Sequence, residues 1–522
     1  MHDSPAPHPQ TPRWRLLASF VIMLTCFLLF SGCVGSAQSQ HTTDGHSALA
    51  LRSAARAVLT IDLTHPERQF ADGAIGLSVE TKELATQNLS VGNSALVALM
   101  RLLGPAVLRV GGNSLDLSWW TSNNEPAPAW ATSVITPITL ASLHRLLIAT
   151  GWRVILGLDL GHFDPARAAN EARVAKHIIG SHLLGFEIGN EPNDYGGRAI
   201  GLRSSTYSAE EYLSELSSYI NAIRSVSPGV SFYGPDLGWQ HAQPWLTELA
   251  SSKSLAFAEL TQHYYPTTYN RPDGPCTETP VPTALELLSP GVRQQENEAL
   301  QTIIAAGELA HLPVRISETN NTASCDAPGG PATSPVFASA LWSLDWTLRA
   351  ASAGISGLNF HGNLGRCRPE AFAPMCTPAH PATAREELAA RPEYYGLLAA
   401  RQLEGGRFVP THLSTASPWP NVTTWATLTP KGAVRIAIDN LGTKFVSQSI
   451  SIPSTGYRAT SELLAGPSIK ATSNITLGGS RLPQGRWRPE RMQLRGRTGF
   501  FDLPLRPESA MIVTLRPTRP HV

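Results

Sequence analysis

The sequence predicts an α/β protein in which a (β/α)8 TIM barrel is followed by a C-terminal β-sandwich domain. Short apolar segments alternate with amphipathic segments of helical period over about 300 residues, which is typical of parallel strands joined by helices. Beyond Gly405 the helical pattern stops, and short strand patterns with turn residues replace it. The chain has 522 residues, of which 42% are hydrophobic and 16% are charged, so it can bury a core of this size.

Eight candidate strands lie in the first part of the chain, which is the number that closes such a barrel. They are Ala74–Glu80, Ala106–Asn113, Arg153–Leu160, Leu183–Asn190, Val230–Asp236, Phe257–Tyr265, Val314–Thr319 and Gly357–Gly362. Candidate helices between them include Asn93–Leu103, Thr139–Thr150, Ala209–Ser225 and Pro335–Ala353. An open, doubly wound sheet is the alternative, but the G-x-G-x-x-G turn after the first strand and the G-x-x-x-x-G-K motif that it favours are missing.

The two patterns predict the domain boundaries. We expect the (β/α)8 barrel at residues 67–405 and the β-sandwich at residues 406–522, with residues 58–66 forming a strand that joins the sandwich. The strands expected in the sandwich include Val422–Leu428, Val434–Asp439, Phe445–Ser451 and Met511–Leu515.

Residues 1–37 have the pattern of an export leader. Arg13 and Arg15 precede an apolar run over residues 16–30, which is too short for a comfortable membrane span. The sequence Ser-Gly-Cys ending at Cys33 resembles a bacterial lipobox, in which the cysteine is lipidated. Plain signal cleavage after Ala37 and an uncleaved anchoring helix are the alternatives. Residues 38–57 are typical of a flexible tether. The sequence therefore predicts an exported protein (periplasmic, secreted or an outer-membrane lipoprotein) that touches a membrane only through a lipid at Cys33.

Export makes disulfides possible, and four cysteines remain after the leader. Cys276, Cys325, Cys367 and Cys376 allow three connectivities. The pair Cys367–Cys376 closes a short loop and is the local choice, and Cys276–Cys325 would then join two other loops. No C-x-x-C motif supports a zinc or thioredoxin-like site.

The charge balance excludes one class of partner. Lysine and arginine total 41 and aspartate and glutamate total 40, for a formal net charge of +1. A dedicated nucleic-acid binder would carry a basic excess, so we expect no nucleic-acid partner.

Two glutamates stand at strand ends that should meet at one mouth of the barrel. Glu191 precedes Pro192, which cannot continue a strand, so we expect Glu191 at the last position of the fourth strand. Glu318 ends the seventh strand. The carboxyl ends of barrel strands form the active site, and two carboxylates about 5 Å apart suit retaining glycoside hydrolysis.

These residues carry a resemblance to glycoside hydrolase family 79, which includes β-glucuronidases and heparanase, within the larger clan of retaining (β/α)8 glycosidases. The matching stretches are Asn190-Glu191, Leu108–Asn113, Gln262–Tyr265, Ser317–Asn320 and Ala340–Asp345, and the resemblance runs from about residue 58 to the C-terminus. It implies an exo-acting O-glycosyl hydrolase of carbohydrate metabolism with a carbohydrate or glycoside substrate. It also implies a double displacement, with Glu191 as acid/base and Glu318 as nucleophile, and this chemistry needs no cofactor and no metal.

The resemblance also implies a set of substrate-binding residues around the two carboxylates. The set comprises Asn190, Tyr265, His263, Gly112, Asn113, Ser324, Cys325 and Asn363. Asn190 would hydrogen-bond the sugar 2-hydroxyl. His263 and Tyr265 are two residues apart and share a face of the sixth strand, where Tyr265 would donate to Glu318 while Tyr264 points into packing. Glu80 would either bind a sugar hydroxyl or form an ion pair with Arg109.

Two positions depart from the family pattern. Members that bind glucuronate commonly have a tyrosine five residues after the nucleophile, followed by glycine, whereas this chain has Ala323 there, followed by Ser324 and Cys325. After the eighth strand the chain has Asn363-Leu364 where the family tends to have Asn-Tyr. Backbone N–H groups of residues 324 and 325 can still donate, but two expected hydroxyls are missing. A glycosidase of the same clan for neutral sugars, arabinofuranosidase-like or xylosidase-like, is therefore an open alternative.

Two further functional classes compete with a glycosidase. A non-catalytic carbohydrate-binding surface protein could use the same barrel, but the presence of both glutamates disfavours it. An esterase or a metallohydrolase is disfavoured because the chain contains neither G-x-S-x-G nor H-E-x-x-H.

Overall fold

The computed structural model describes most of the chain after residue 56. The described ranges are 57–86, 88–197, 201–239, 242–252, 256–269, 281–324, 330–368, 372–378, 388–414, 421–442, 449–482, 487–497 and 499–518. The predicted leader, the lipobox Cys33 and residues 38–56 of the tether lie outside these ranges. Within them, no helix is long and apolar enough to cross a membrane.

Strands and helices alternate along the first two thirds of the described chain, and strands dominate the rest. The strands are β1 Ala57–Ile61, β2 Ile75–Glu80, β3 Val107–Gly111, β4 Ser118–Trp120, β5 Ser133–Ile135, β6 Arg153–Leu158, β7 Leu183–Ile188, β8 Ser231–Leu237, β9 Phe257–Tyr264, β10 Thr267–Tyr269, β11 Val314–Thr319, β12 Thr322–Ser324, β13 Gly357–Gly362, β14 Met375–Cys376, β15 Ala389–Ala390, β16 Arg407–Phe408, β17 Thr411–Ser414, β18 Val422–Leu428, β19 Val434–Asn440, β20 Ser449–Pro453, β21 Tyr457–Ala465, β22 Thr476–Leu477, β23 Met492–Leu494, β24 Gly496–Arg497, β25 Phe500–Pro504 and β26 Ser509–Pro517. The helices are α1 Ser94–Leu103, α2 Pro137–Thr150, α3 Pro165–Ile179, α4 Ala209–Val226, α5 Ala242–Ala250, α6 Ala284–Leu287, α7 Pro290–Ala310, α8 Ala338–Ala353 and α9 Pro392–Arg401.

Eight parallel strands close into a barrel, which confirms the predicted fold class. Around the barrel the strand order is β11-β13-β2-β3-β6-β7-β8-β9, and β9 pairs with β11. The predicted ranges of β11 and β13 match the observed bounds, and the other six barrel strands differ from prediction by one or two residues at their ends. The barrel forms because these segments are buried on both faces, which favours parallel pairing between helices.

Left-handed backbone explains why two strands end before their predicted bounds. Gly112 follows β3 with φ +73°, and Gly189 follows β7 with φ +84°, so neither residue continues the extended backbone. The sequence predicted that Glu191 is the last residue of the fourth strand, and this prediction is wrong. It lies three residues past β7 with φ +50° and precedes a 3-10 turn over Pro192–Asp194.

The C-terminal part forms the predicted β-sandwich. A five-stranded sheet has the order β17-β1-β20-β25-β24, and a larger sheet has the order β16-β18-β19-β26-β21-β22, with β23 also paired to β21. The N-terminal strand β1 lies in the smaller sheet, antiparallel to β17 and parallel to β20. The exact domain boundaries stay a prediction, and residues 443–448 of one expected strand lie outside the described chain.

The larger sheet is buried on both faces, and its alternating side chains show how. Ile436 and Ile438 of β19 pack into the core between the two sheets, together with Leu59 of β1 and Phe501 of β25. Ala437, between them on β19, belongs to the core of the barrel and its helices. Because successive side chains of a strand point to opposite faces, this sheet joins the sandwich to the barrel.

The local disulfide that the sequence favoured is present. Cys367 and Cys376 are bonded, with their Cα atoms 5.1 Å apart, in the loop after β13. Cys276 and Cys325 lie outside the described ranges, so their pairing stays a prediction.

Candidate active site

Glu318 occupies the inner wall of the barrel near its carboxyl-terminal mouth. It is the fifth residue of β11 and is 7% exposed. Each of its carboxylate oxygens accepts a hydrogen bond: Oε1 from the hydroxyl of Tyr265 at 2.7 Å and Oε2 from Nη1 of Arg109 at 2.7 Å. These two donors hold the carboxylate in one orientation.

Glu191 faces Glu318 from the loop after β7. Its backbone N–H donates to the carbonyl of Asp236 at 2.9 Å, which holds the left-handed residue in place. A non-glycine residue in this conformation costs of order 1 kcal/mol or more and occurs preferentially at functional sites. Oε1 of Glu191 lies 3.0 Å from Nδ1 of His263. One side-chain atom from each of Glu191, His263 and Glu318 lies within 4.8 Å of the others, so the two carboxylates stand face to face.

His263 lies between two carboxylates at the base of this pair. Its Nε2 is 2.9 Å from Oδ1 of Asp236, and its Nδ1 faces Glu191. Burial alone would lower the pKa of His263, but the charges of Asp236 and Glu318 raise it well above its ordinary value. The imidazole is therefore a cation with a proton on each nitrogen.

This protonation decides whether the cluster suits a metal. Glu191, His263 and Glu318 have the spacing of a three-ligand metal site. A metal-bound imidazole must offer a lone pair, whereas both nitrogens of His263 carry protons and face carboxylates. The residues fit an ion-paired network better than a metal centre.

Arg109 forms the floor of the site and was not among the predicted site residues. Its side chain is fully buried, and it donates to Glu187 Oε2 at 2.8 Å, to Asn190 Oδ1 at 2.8 Å and to Asp236 Oδ2. Burial alone would lower the pKa of Arg109, but the surrounding carboxylates raise it well above its ordinary value. The ion pair between Arg109 and Glu80 that the sequence allowed is not formed, because Arg109 is turned into the barrel toward these carboxylates.

Asp236 is the second buried group that the sequence reasoning missed. It lies on β8 with φ +59°, and Ser317 donates to its Oδ1. Burial alone would raise its pKa, but Arg109 and His263 hold the pKa of this carboxyl well below its usual range. Asp236 is therefore the anion that links the arginine to the histidine.

Asn190, Asn113 and Gly112 line the mouth next to Glu191. Asn190 uses Oδ1 to accept from Arg109, and its Nδ2 donates to Oδ1 of Asn113 at 3.3 Å. Gly112 has no room for a side chain, because a Cβ there would lie 2.8 Å from the carboxyl carbon of Glu80. The three predicted residues thus lie together.

Glu80 and His361 complete the wall on the side of Glu318. His361 Nδ1 lies 3.5 Å from Glu318 Oε2, and its Nε2 lies 3.7 Å from Glu80 Oε1. The backbone N–H of Ser114 donates to Glu80 Oε2 at 2.8 Å. Burial alone would raise the pKa of Glu80, but His361 and Ser114 lower it to about 2, so a further fixed anion stands at the mouth.

The alternation along β9 extends to Tyr265, the residue after the strand, so Tyr264 and Tyr265 point to opposite sides as predicted. Tyr265 reaches Glu318, and its ring packs on Phe372 with centroids 5.4 Å apart. Tyr264 points outward and packs against Trp239 and Trp346. Of the two, Tyr265 is therefore the tyrosine that faces the carboxylate pair.

Three predicted binding residues are not shown at the site. The backbone of Ser324 pairs with Tyr269 in a short parallel ladder, its side chain is outside the described part of the structure, and so is the whole of Cys325. Asn363 follows β13 and is partly buried, and among the described residues no hydrogen bond joins it to Glu191 or Glu318. Their roles stay predictions.

Several glycosidases of known structure are similar to this chain in fold. A 4-O-α-L-rhamnosyl-β-D-glucuronidase from Fusarium oxysporum 12S is similar, with a TM-score of 0.66 and 17% identity over 87% of this chain and 98% of that chain. A GH51 arabinofuranosidase from Xanthomonas axonopodis pv. citri is similar with a TM-score of 0.59 and 13% identity, covering 88% and 100% of the two chains. A GH39 enzyme from the same organism has a TM-score of 0.57 and 15% identity, covering 89% and 98%. No family model matches the sequence, and no curated protein matches it significantly.

Proposed function

We propose that the protein is a retaining glycoside hydrolase that acts by double displacement, with Glu318 as nucleophile and Glu191 as acid/base. The observation that carries this proposal is the pair of carboxylates whose oxygens approach within 4.8 Å across the barrel mouth. Retaining enzymes keep their two carboxyl groups about 5 Å apart, whereas inverting enzymes separate them by about 6.5–9.5 Å to admit a water molecule. The similarity in fold to several glycosidases supports the same conclusion.

In the first step, an oxygen of Glu318 forms a bond to the anomeric carbon while the glycosidic bond breaks. Glu191 gives its proton to the departing oxygen, so the leaving group departs as an alcohol. Tyr265 and Arg109 hold Glu318 in a fixed orientation, because each donates to one of its oxygens. Asn190 presents its amide next to the sugar ring, where it can bond the 2-hydroxyl.

In the second step, Glu191 removes a proton from water, and the water oxygen attacks the same anomeric carbon. The bond to Glu318 then breaks, and the sugar is released with its original configuration. His263 is a cation 3.0 Å from Glu191, so it stabilises the carboxylate that exists between the two steps.

We propose a β-glucuronide as the glycone that this enzyme removes, in exo fashion. The resemblance to family 79 and the fold similarity to the rhamnosyl-glucuronidase support this choice. Lys82, Arg366 and Arg368 are exposed in the segments that follow β2 and β13, where cationic side chains can reach a uronate carboxylate.

A neutral sugar is the second candidate, and a specific observation favours it. The carboxylate of Glu80 is ionised and fixed at the mouth, and a second carboxylate on the substrate would be repelled by it unless a cation intervened. Ala323 also provides no hydroxyl five residues after Glu318. The arabinofuranosidases of similar fold are consistent with this candidate.

The experiment is a panel of nitrophenyl glycosides: β-glucuronide, β-glucoside, β-xyloside and α-L-arabinofuranoside. We expect hydrolysis of the β-glucuronide, and proton NMR of the first product should show the retained anomer. Glu318→Gln should abolish turnover, whereas Glu296→Gln, a buried glutamate on α7, should not. Preference for a neutral glycoside would overturn the uronate proposal alone, and an inverted first product would overturn the double displacement.

We also propose that the protein is exported, with lipidation at Cys33 or cleavage after Ala37. The Cys367–Cys376 disulfide supports export, because disulfides persist in oxidising compartments. Fractionation of the producing cells and the intact mass of the mature chain test this proposal. A reduced, unprocessed protein in the cytosol would contradict it.

A further inference from the structure

Glu187 is a buried carboxyl that the double displacement does not use. It lies on β7, four residues before Glu191, and is fully buried. Its Oε2 accepts from Nε of Arg109 at 2.8 Å, whereas its Oε1 has no hydrogen-bond partner among the described residues. Gly157, its neighbour on β6, has no side chain to offer. Such an unpaired, buried oxygen requires an explanation.

The charges around Glu187 are already balanced without it. Arg109 on β3 and His263 on β9 are the cations, and Asp236 on β8 and Glu318 on β11 are the anions. The phenols of Tyr212 on α4 and Tyr233 on β8 also lie within electrostatic reach of Glu187. An ionised Glu187 would therefore be a third carboxylate on Arg109 and would leave the buried cluster with a net negative charge, which is costly in a medium of low dielectric constant.

We propose that Glu187 is a positioning residue that works as a neutral carboxylic acid. The positive charge of Arg109 is then balanced by the carboxylates of Asp236 and Glu318 alone. Loss of its proton would draw Arg109 toward a third carboxylate. The hydrogen bond from Arg109 Nη1 that orients the carboxylate of Glu318 would weaken as a result. The inference rests on the proposed glycosidase function for its kinetic part only. The pKa of Glu187 agrees with this geometry. Burial and the charge of Asp236 raise that pKa to about 7, although Arg109 acts to lower it.

The stability of Glu187→Gln tests the proton without any substrate. Glutamine keeps the shape and the oxygen that accepts from Arg109, but it cannot ionise. A carboxyl whose pKa is raised on folding contributes stability that is complete below its unfolded value and is lost as the pH rises through its folded value. We therefore expect the variant and the native protein to melt within about 2 °C of each other at pH 5, and the variant to melt several degrees higher at pH 8. A variant that melts much lower at both pH values would show that the anion is required and would overturn the proposal.

The pH profile of kcat/KM tests the positioning role. If ionisation of either Glu191 or Glu187 inactivates the enzyme, log kcat/KM of the native protein falls at high pH with a limiting slope of about −2, and that of Glu187→Gln with a slope of about −1. At pH 5 the variant should keep kcat/KM within about threefold of the native value. Equal slopes, or a loss of more than about tenfold at pH 5, would overturn the proposal.

Glu296→Gln is the matched control. Glu296 is likewise buried, and burial raises its pKa to about 8, but it lies on α7 and accepts from Trp342, away from the barrel mouth. It should gain stability at pH 8 in the same way and leave the slope of the profile unchanged. If the native protein hydrolyses no glycoside, the proposed function fails while the melting comparison still decides the state of Glu187.

Discussion

Replacing Tyr265 with phenylalanine removes one hydroxyl and keeps the aromatic ring. That hydroxyl donates to Glu318 Oε1 at 2.7 Å, and the ring keeps its contact with Phe372, so folding should change little. A hydrogen bond to a charged group contributes about 1.5–3 kcal/mol. In the proposed mechanism Glu318 must be held in the orientation that attacks the anomeric carbon, so we expect most of this contribution to be lost in the transition state.

The expected effect is a fall in kcat of about 10- to 100-fold, since each 1.36 kcal/mol corresponds to a factor of ten in rate. The assay is steady-state hydrolysis of the best nitrophenyl glycoside, with kcat and KM determined separately. Tyr264→Phe is the matched control, because that tyrosine is adjacent in sequence but points into packing. A Tyr265→Phe enzyme within twofold of the native kcat, or an equal loss in Tyr264→Phe, would refute the assigned role.

Three further predictions concern stability. Burial raises the pKa of Glu171 and of Glu393 to about 8, so their contribution to stability is complete below about pH 4.5 and is lost as the pH rises to about 8. The free energy of unfolding, measured with denaturant at pH 5 and pH 8, should decrease by up to about 4 kcal/mol for each group. No decrease would contradict the burial argument. Replacing both Cys367 and Cys376 with serine removes a disulfide between residues separated by 9 positions in the sequence. We expect the free energy of unfolding to fall by about 2–3 kcal/mol. An unchanged denaturation midpoint would mean that the loop is held by other contacts. Gly112→Ala would place a Cβ 2.8 Å from the carboxyl carbon of Glu80 at a residue whose φ is +73°. We therefore expect a loss of more than about 1 kcal/mol of stability, measured from the melting temperature, and weaker substrate binding, measured as KM. A variant equal to the native protein in both measurements would contradict the steric argument.

The positions of Glu191 and Glu318 at one mouth of the barrel could be predicted from the sequence because the signals that mark them are local. Glu318 lies next to the last residue of a buried strand, and Glu191 precedes a proline, so each is marked by its immediate neighbours. The period of two along β9 was enough to assign Tyr265 to the site and Tyr264 to packing, which is the arrangement observed.

The floor of the site could not be predicted in the same way, because its partners are distant in sequence. Arg109 was recognised in a buried strand, but its pairing with Glu187, Asp236 and Glu318 depends on strands up to 209 residues apart meeting inside the barrel. Strand ends were also missed where single residues adopt left-handed backbone, as Gly189 does, since the pattern of apolar residues does not report φ. A buried arginine between apolar residues was the one available sign of an internal charge cluster.

The covalent intermediate on Glu318 is the most direct test of the proposed chemistry. The mature protein is treated with a 2-deoxy-2-fluoro glycoside of the preferred sugar that carries a good leaving group, and intact mass and peptide mapping are recorded. We expect the mass to increase by one fluoroglycosyl group, located on the peptide that contains Glu318 and absent in Glu318→Gln. A stable label on a different residue, or release of the inverted sugar without any adduct, would contradict the double displacement.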